Sequence, residues 1–195
     1  MHYKLSLLTR FLLLAVVFQV TTSQAQQKYS KRQIEKIKTE TLNQVQAQHK
    51  NTQVMIDKVF SFAELGFQEF ETSAYLTKIL EEAGFELKTG LSGIPTSWMA
   101  TWSSGEGPVI ALGSDVDCIP KASQYPGVAY HKPMVEGAPG HGEGHNSGVP
   151  VIITAALTLQ EQMKKNKLGG TLVIWPGIAE EQLGSKAWYV RDGYF

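Results

Sequence analysis

The sequence predicts an α/β fold, a mixed and mostly parallel sheet flanked by helices. Two observations carry this. Three short strand-like runs follow one another closely, Phe85 to Lys88, Ser97 to Trp102 and Pro108 to Leu112, separated by the turn stretches Gly93-Ile94-Pro95 and Ser103-Ser104-Gly105-Glu106-Gly107. The helical pattern of Val149 to Lys165 then leads through Gly169-Gly170 into Thr171-Leu172-Val173-Ile174-Trp175, a continuous apolar run of the kind buried on both faces of a sheet. Strand, helix and strand in that order imply a right-handed crossover and a parallel pair.

The remaining elements follow in order. Ser30 is a suitable N-cap for a polar, sparsely apolar helix opening at Lys31 and running, with a break near Asn51, into Val54, Ile56, Val59 and Phe60. A second helix covers Thr72 to Leu80: Tyr75, Ile79 and Ala83 keep helical spacing, and Gly84 stands where a C-terminal cap belongs. The third strand runs into Asp115-Val116-Asp117. Lys121 to Asn146, rich in Gly, Pro and His, reads as a long loop, a length uncommon unless the loop is functional. Pro150 fits the first turn of the helix after it. Ligands of such sheets sit beyond the carboxyl ends of strands, where Asp115 and Asp117 follow one end and Glu180 and Glu181 another.

The chain has 195 residues, of which 43% are hydrophobic and 18% charged, enough apolar content for a buried core and one main domain. Eighteen basic residues balance eighteen acidic ones, so nothing steers the chain toward nucleic acid or an anionic membrane. A small-molecule partner is expected instead. Basic residues edge the apolar run Phe11 to Phe18, and Ser23-Gln24-Ala25 offers a small-residue cleavage site. Residues 1–25 therefore read as a signal peptide and residues 26–195 as the folded part, exported to the periplasm or secreted. The apolar run is too short for the ~20 residues of a spanning helix, so no stable membrane anchor is expected after cleavage. Cys118 is the sole cysteine, which rules out an internal disulfide and suits a small buried residue better than a nucleophile.

Chemistry concentrates in Gly140-His141-Gly142-Glu143-Gly144-His145-Asn146 and in Ala179-Glu180-Glu181. On a glycine-rich bend, Glu143 and His145 can converge on one ion at about 2.0–2.2 Å from each ligand. In the glutamate pair one carboxylate can bind metal while its neighbour acts as general base on a water. Read singly, the pair is also an ordinary charged helix start, and His141 an ordinary loop histidine.

These segments resemble the metallo-aminoacylase and carboxypeptidase family of zinc-type hydrolases, in its amidohydrolase branch. The resemblance runs from about residue 54 to the last residue. It is carried by Ala63-Glu64-Leu65-Gly66-Phe67-Gln68-Glu69, Gly93-Ile94-Pro95-Thr96, Ile110 to Asp117, the His141 to Asn146 loop, Gly170-Thr171, Ala179-Glu180-Glu181, Gly184-Ser185-Lys186 and Val190 to Gly193. It implies a zinc-exopeptidase-like catalytic domain, here incomplete, whose further metal-binding histidines and lid or dimerisation domain lie downstream, so these 195 residues alone are expected to be a poor catalyst. It further implies one or two divalent ions, Zn or Mn, held by Glu143, His145 and Glu181, with Glu180 as the general base. Asp117 would orient a ligand or serve as a turn residue before Pro120, and His141 would support the site or face solvent; Glu64 and Glu69 would be structural. Glu143 departs from the family, which commonly has cysteine there, and a hard carboxylate moves ion preference toward Mn²⁺. The implied reaction is attack of a metal-activated water on the amide of a small N-acyl amino acid, aminobenzoyl-glutamate-like. A dipeptidase or a non-catalytic exported binding protein are the alternatives, and the longer form would be a homo- or heterodimer.

Overall fold

The computed structural model describes residues 29–195, so the expected signal segment, residues 1–25, lies outside the described residues. Among the described residues, no helix is long and apolar enough to cross a membrane. The chain divides after Thr39 into two units. In the first, the start of helix α1 (Lys31–Ala47) is capped as predicted. The Gln33 N–H donates to Ser30 Oγ at 3.3 Å while the Ser30 N–H donates to Gln33 Oε1 at 2.8 Å, a reciprocal capping box.

In the second unit, helix α2 (His49–Phe62) begins after Gln48, which places the break expected near Asn51 at Gln48. It is slight, because the Gln48 N–H is shared between the Gln44 and Val45 carbonyls, each at 3.1 Å, and the backbone only tightens by a turn. Helix α3 (Phe70–Glu82) starts two residues before the predicted Thr72. The cause is Glu64, whose carboxylate accepts the Glu71 and Thr72 N–H groups at 2.9 Å each and satisfies donors that the first turn leaves free. The helix ends at Gly84, whose φ of +85° is open to glycine without cost.

The sheet contains β1 (Glu86–Thr89), β2 (Trp98–Ser103), β3 (Val109–Asp115) and β4 (Thr171–Gly177) in the order β1-β2-β4-β3. It is mixed. β3 and β4 are parallel, in register from Val109 opposite Thr171 to Asp115 opposite Gly177, as the strand-helix-strand order requires. β1–β2 and β2–β4 are antiparallel, so the parallel character is confined to the pair that carries the predicted site. The short link from Thr89 to Trp98 cannot make a parallel crossover, which needs a dozen residues or more.

Helix α4 (His145–Asn166) makes the crossover. It begins at His145 and not near Val149, because Gly144, at φ +98°, turns the chain directly into the helix. Pro150 consequently lies inside the helix, with its ring buried against the core. Val149, Ile153 and Ala156 pack with Leu172 and Ile174 of β4, all of them fully buried. Each of the Val, Leu and Ile side chains contributes about 1.5–3 kcal/mol by leaving water. On the opposite face of β4, Trp175 meets Tyr189 of helix α5 (Lys186–Arg191) edge-on, with ring centroids 6.4 Å apart.

Cys118 is buried just beyond β3, and burial, with Asp117 and Glu64 beside it, pushes its thiol up to about 12. The folded chain is therefore expected to leave a disulfide thiol reagent unreacted at pH 8, and to consume one equivalent in denaturant. Fast reaction of the native protein would contradict this environment.

Candidate metal centre

Two backbone arms leave the carboxyl ends of the parallel strands and converge. The first leaves β3 through Val116 to Asp117. Beside Asp117, the Cys118 N–H donates to the Glu64 carbonyl at 2.8 Å. Ile119 and Gly140 then exchange backbone hydrogen bonds at 3.0 and 3.1 Å, which closes the long loop at its base. Only glycine fits at 140, since a Cβ there would run into the Ala122 carbonyl. The loop so anchored delivers Glu143 and, at the first residue of α4, His145. The second arm continues β4 through Ile178 to Ala179, which sits at φ +53° and starts the tight turn Glu180–Gln182. Gln182 and Gly184 both donate to the Ala179 carbonyl, at 3.1 and 2.9 Å, and hold that turn closed.

One buried carboxylate joins the arms. Asp117, 1% exposed, accepts from the Glu181 N–H through Oδ2 at 3.0 Å and meets His145 Nδ1 through Oδ1 at 3.2 Å. The contact fixes the imidazole tautomer, with the proton on Nδ1 and the Nε2 lone pair turned outward. Nε2 then faces the Glu143 carboxylate directly and lies 3.9 Å from Glu180 Oε2. Glu181 Oε1 is 3.9 Å from Nδ1.

The sequence singled out Glu143, His145, Glu180 and Glu181, and the fold brings one ligand atom of each within 4.8 Å of the others. The set tests itself chemically. A lone pair on Nε2 facing a carboxylate is repulsive unless a cation lies between them, and three further carboxylate groups crowd the same imidazole. The cost shows at Glu181, whose carboxyl is raised by desolvation and further by Glu143, Asp117 and Glu180, against the pull of His145. Nitrogen and oxygen donors at this spacing suit a divalent ion.

His141 does not join the group. Its Nε2 lies 3.2 Å from the Val59 carbonyl of α2, and its ring stands 6.2 Å from that of Phe60. Asp115, expected just beyond the strand, is the last residue of β3 and turns to another partner: Lys186 Nζ is 2.8 Å from Asp115 Oδ1, tying α5 to the end of β3. A lysine shortly after a glutamate pair carries no local signal of so distant a partner.

No family model matches the chain. Over 139 residues it is 32% identical to a subunit of the p-aminobenzoyl-glutamate hydrolase of Escherichia coli K12, a match that takes in 71% of this chain and 29% of that protein. It is 30% identical over 135 residues to N-acetyl-L-cysteine deacetylase of Bacillus subtilis, covering 68% of this chain and 30% of the relative. Among solved structures it resembles a dinuclear metal-binding peptidase of the M20 family from Bacillus subtilis, with 25% identity and a TM-score of 0.62 over 76% of this chain and 40% of that one. The chain belongs to the M20 family of peptidases and amidohydrolases. This M20 chain spans about 30% of the length of the two relatives.

Burial holds the His141 imidazole below its ordinary range, with His145 adding to the effect and the Val59 bond and Asp117 opposing it. Protonation would place an N–H on the buried Nδ1, which has no partner there. A depressed folded pKa means stabilisation present above the unfolded value of about 6.5 and lost as pH falls through the folded one. Thermal denaturation at pH 7.5 and 5.5 should therefore show a larger loss of stability for the wild type than for His141→Leu. Equal losses would refute the assignment.

Proposed function

We propose that this chain carries the metal-binding core of an amidohydrolase acting on a small N-acyl amino acid, of which aminobenzoyl-glutamate is the model. The observation that carries the reading is the convergence of Glu143, His145, Glu180 and Glu181 at the carboxyl ends of the parallel strands. The names of the two relatives, a hydrolase of an acyl-glutamate and a deacetylase of an acyl-cysteine, support the substrate class.

Glu143, His145 and Glu181 would hold a divalent ion, Zn or Mn, and the ion would polarise the amide carbonyl and acidify a water. Glu180 is left to do the proton work. It takes the proton from the attacking water and returns it to the leaving amine, and its place beside Glu181 on one short turn keeps the two glutamates in fixed relation. Asp117 keeps the His145 proton on Nδ1 so that Nε2 remains a ligand. That the Escherichia coli relative is named as one subunit of its enzyme supports assembly with a second polypeptide. The layout of residues 1–25 supports export.

The test is calorimetric titration of the 195-residue chain with Zn²⁺ and Mn²⁺, followed by chromatographic detection of amine released from aminobenzoyl-glutamate, N-acyl amino acids and dipeptides. Metal binding with release from the acyl substrates supports the proposal. Release from dipeptides alone favours a dipeptidase, calorimetric binding of the acyl substrates without metal binding or release favours a binding protein, and no metal binding overturns the amidohydrolase and dipeptidase readings.

The Glu180→Gln variant should lower the rate of release about 10²–10⁴-fold while leaving metal affinity nearly unchanged. Glu143→Cys restores a soft donor, so the ratio of Zn²⁺ to Mn²⁺ affinity should rise by about tenfold or more, measured by competition between the two ions.

A further inference from the structure

Glu69 is an unusual residue to find in this core. It is 0% exposed, and among the described residues it forms no ion pair. Besides the backbone N–H groups of Phe67 and of Glu69 itself, its carboxylate holds two donors from distant segments: Thr96 Oγ1 donates to Oε2 at 2.9 Å, and the Ala179 N–H donates to Oε1 at 2.9 Å. Burying a carboxylate without a cation is costly, and its local backbone donors and one hydroxyl could be served by a neutral side chain. The Ala179 bond gives the carboxylate a further task. Ala179 is the left-handed residue that turns the chain into Glu180–Glu181, a conformation that a non-glycine residue keeps only when its surroundings hold it.

The same segment reaches the centre twice more. Gly66 lies so close to Ala179 that a Cβ on it would meet the Ala179 Cα at 2.8 Å, and Gln182 Nε2 reaches the Gly66 carbonyl at 3.4 Å. At the other end, the Glu64 carbonyl receives the Cys118 N–H next to Asp117. Residues 64–69 thus touch both arms of the centre from behind.

We propose that Glu69 is a positioning residue of the metal centre, which sets the direction of the Glu180–Glu181 turn through the Ala179 N–H; this rests on the metal-binding reading above. Removing the acceptor leaves a buried N–H unpaired and frees Ala179 to relax out of its left-handed conformation. Glu181 then swings away from His145. Glutamine keeps an acceptor for Ala179 and turns its amide toward Thr96 Oγ1, so it preserves the turn.

The experiment compares the full chain with Glu69→Ala, Glu69→Asp, Glu69→Gln, His145→Ala and Leu80→Ala. Leu80 is fully buried in α3 and serves as a control for destabilisation alone. Zn²⁺ affinity is measured by calorimetry, coordination by the visible spectrum of the Co²⁺-loaded chain, and folding by thermal denaturation. Glu69→Ala and Glu69→Asp should bind Zn²⁺ about tenfold or more weakly with an altered Co²⁺ spectrum, while Glu69→Gln stays within about threefold of the wild type. Leu80→Ala should lose stability and keep both affinity and spectrum. Affinity of Glu69→Ala within about twofold of wild type, or equal loss in Leu80→Ala, overturns the proposal. If Glu69→Ala does not fold, Glu69→Asp carries the same comparison; if neither folds, Glu69 serves the fold as a whole and the proposal is overturned. If His145→Ala binds as well as the wild type, the metal-centre reading itself fails and the positioning role falls with it.

Discussion

The centre depends on a single buried carboxylate. Asp117 divides its two oxygens between the imidazole of His145 and the backbone of Glu181, residues separated by a whole crossover helix and a strand. Burying that charge is worthwhile only because both oxygens are satisfied, and the same bonds decide which nitrogen of His145 faces outward. Remove the carboxylate and the two arms lose their shared reference point.

The arms meet because β3 and β4 are parallel and adjacent. Parallel neighbours bring their carboxyl ends to the same edge of the sheet, and the chain leaving each end carries its polar residues there. Helix α4 supplies the third direction, since its first residue is His145 and its apolar face is bound to the same two strands. The core thereby sets the spacing of the polar cluster, with Val149 and Ile153 buried only one and two turns from the imidazole.

Charge accumulates there, and among the described residues no lysine or arginine forms an ion pair with the cluster. Glu143, Glu180, Glu181 and Asp117 all lie within ion-pair reach of one histidine, and Lys186, the base near that edge, is engaged with Asp115. Such an arrangement stores repulsion in the folded chain that a bound divalent ion would relieve, which would couple binding to folding. Glu143, the most exposed of these carboxylates, is also where the chain departs from the cysteine common in its family.

The sequence by itself determined the class of fold, the parallel pair, and the four residues that converge, because apolar periodicity and strand ends are local properties and the Glu143-Gly144-His145 and Glu180-Glu181 spacings are short. Two helix starts were misread: the Glu64 carboxylate draws α3 back to Phe70, and the left-handed Gly144 brings the start of α4 to His145. Only the tertiary structure decided that Asp117 bonds both the His145 imidazole and the Glu181 N–H, that His141 turns to the Val59 carbonyl, and that Glu69, legible as no more than a structural glutamate, bonds the turn bearing the glutamate pair. Each of those bonds joins residues 28 to 110 positions apart, and no local pattern in a chain encodes which distant donor a buried acceptor will meet.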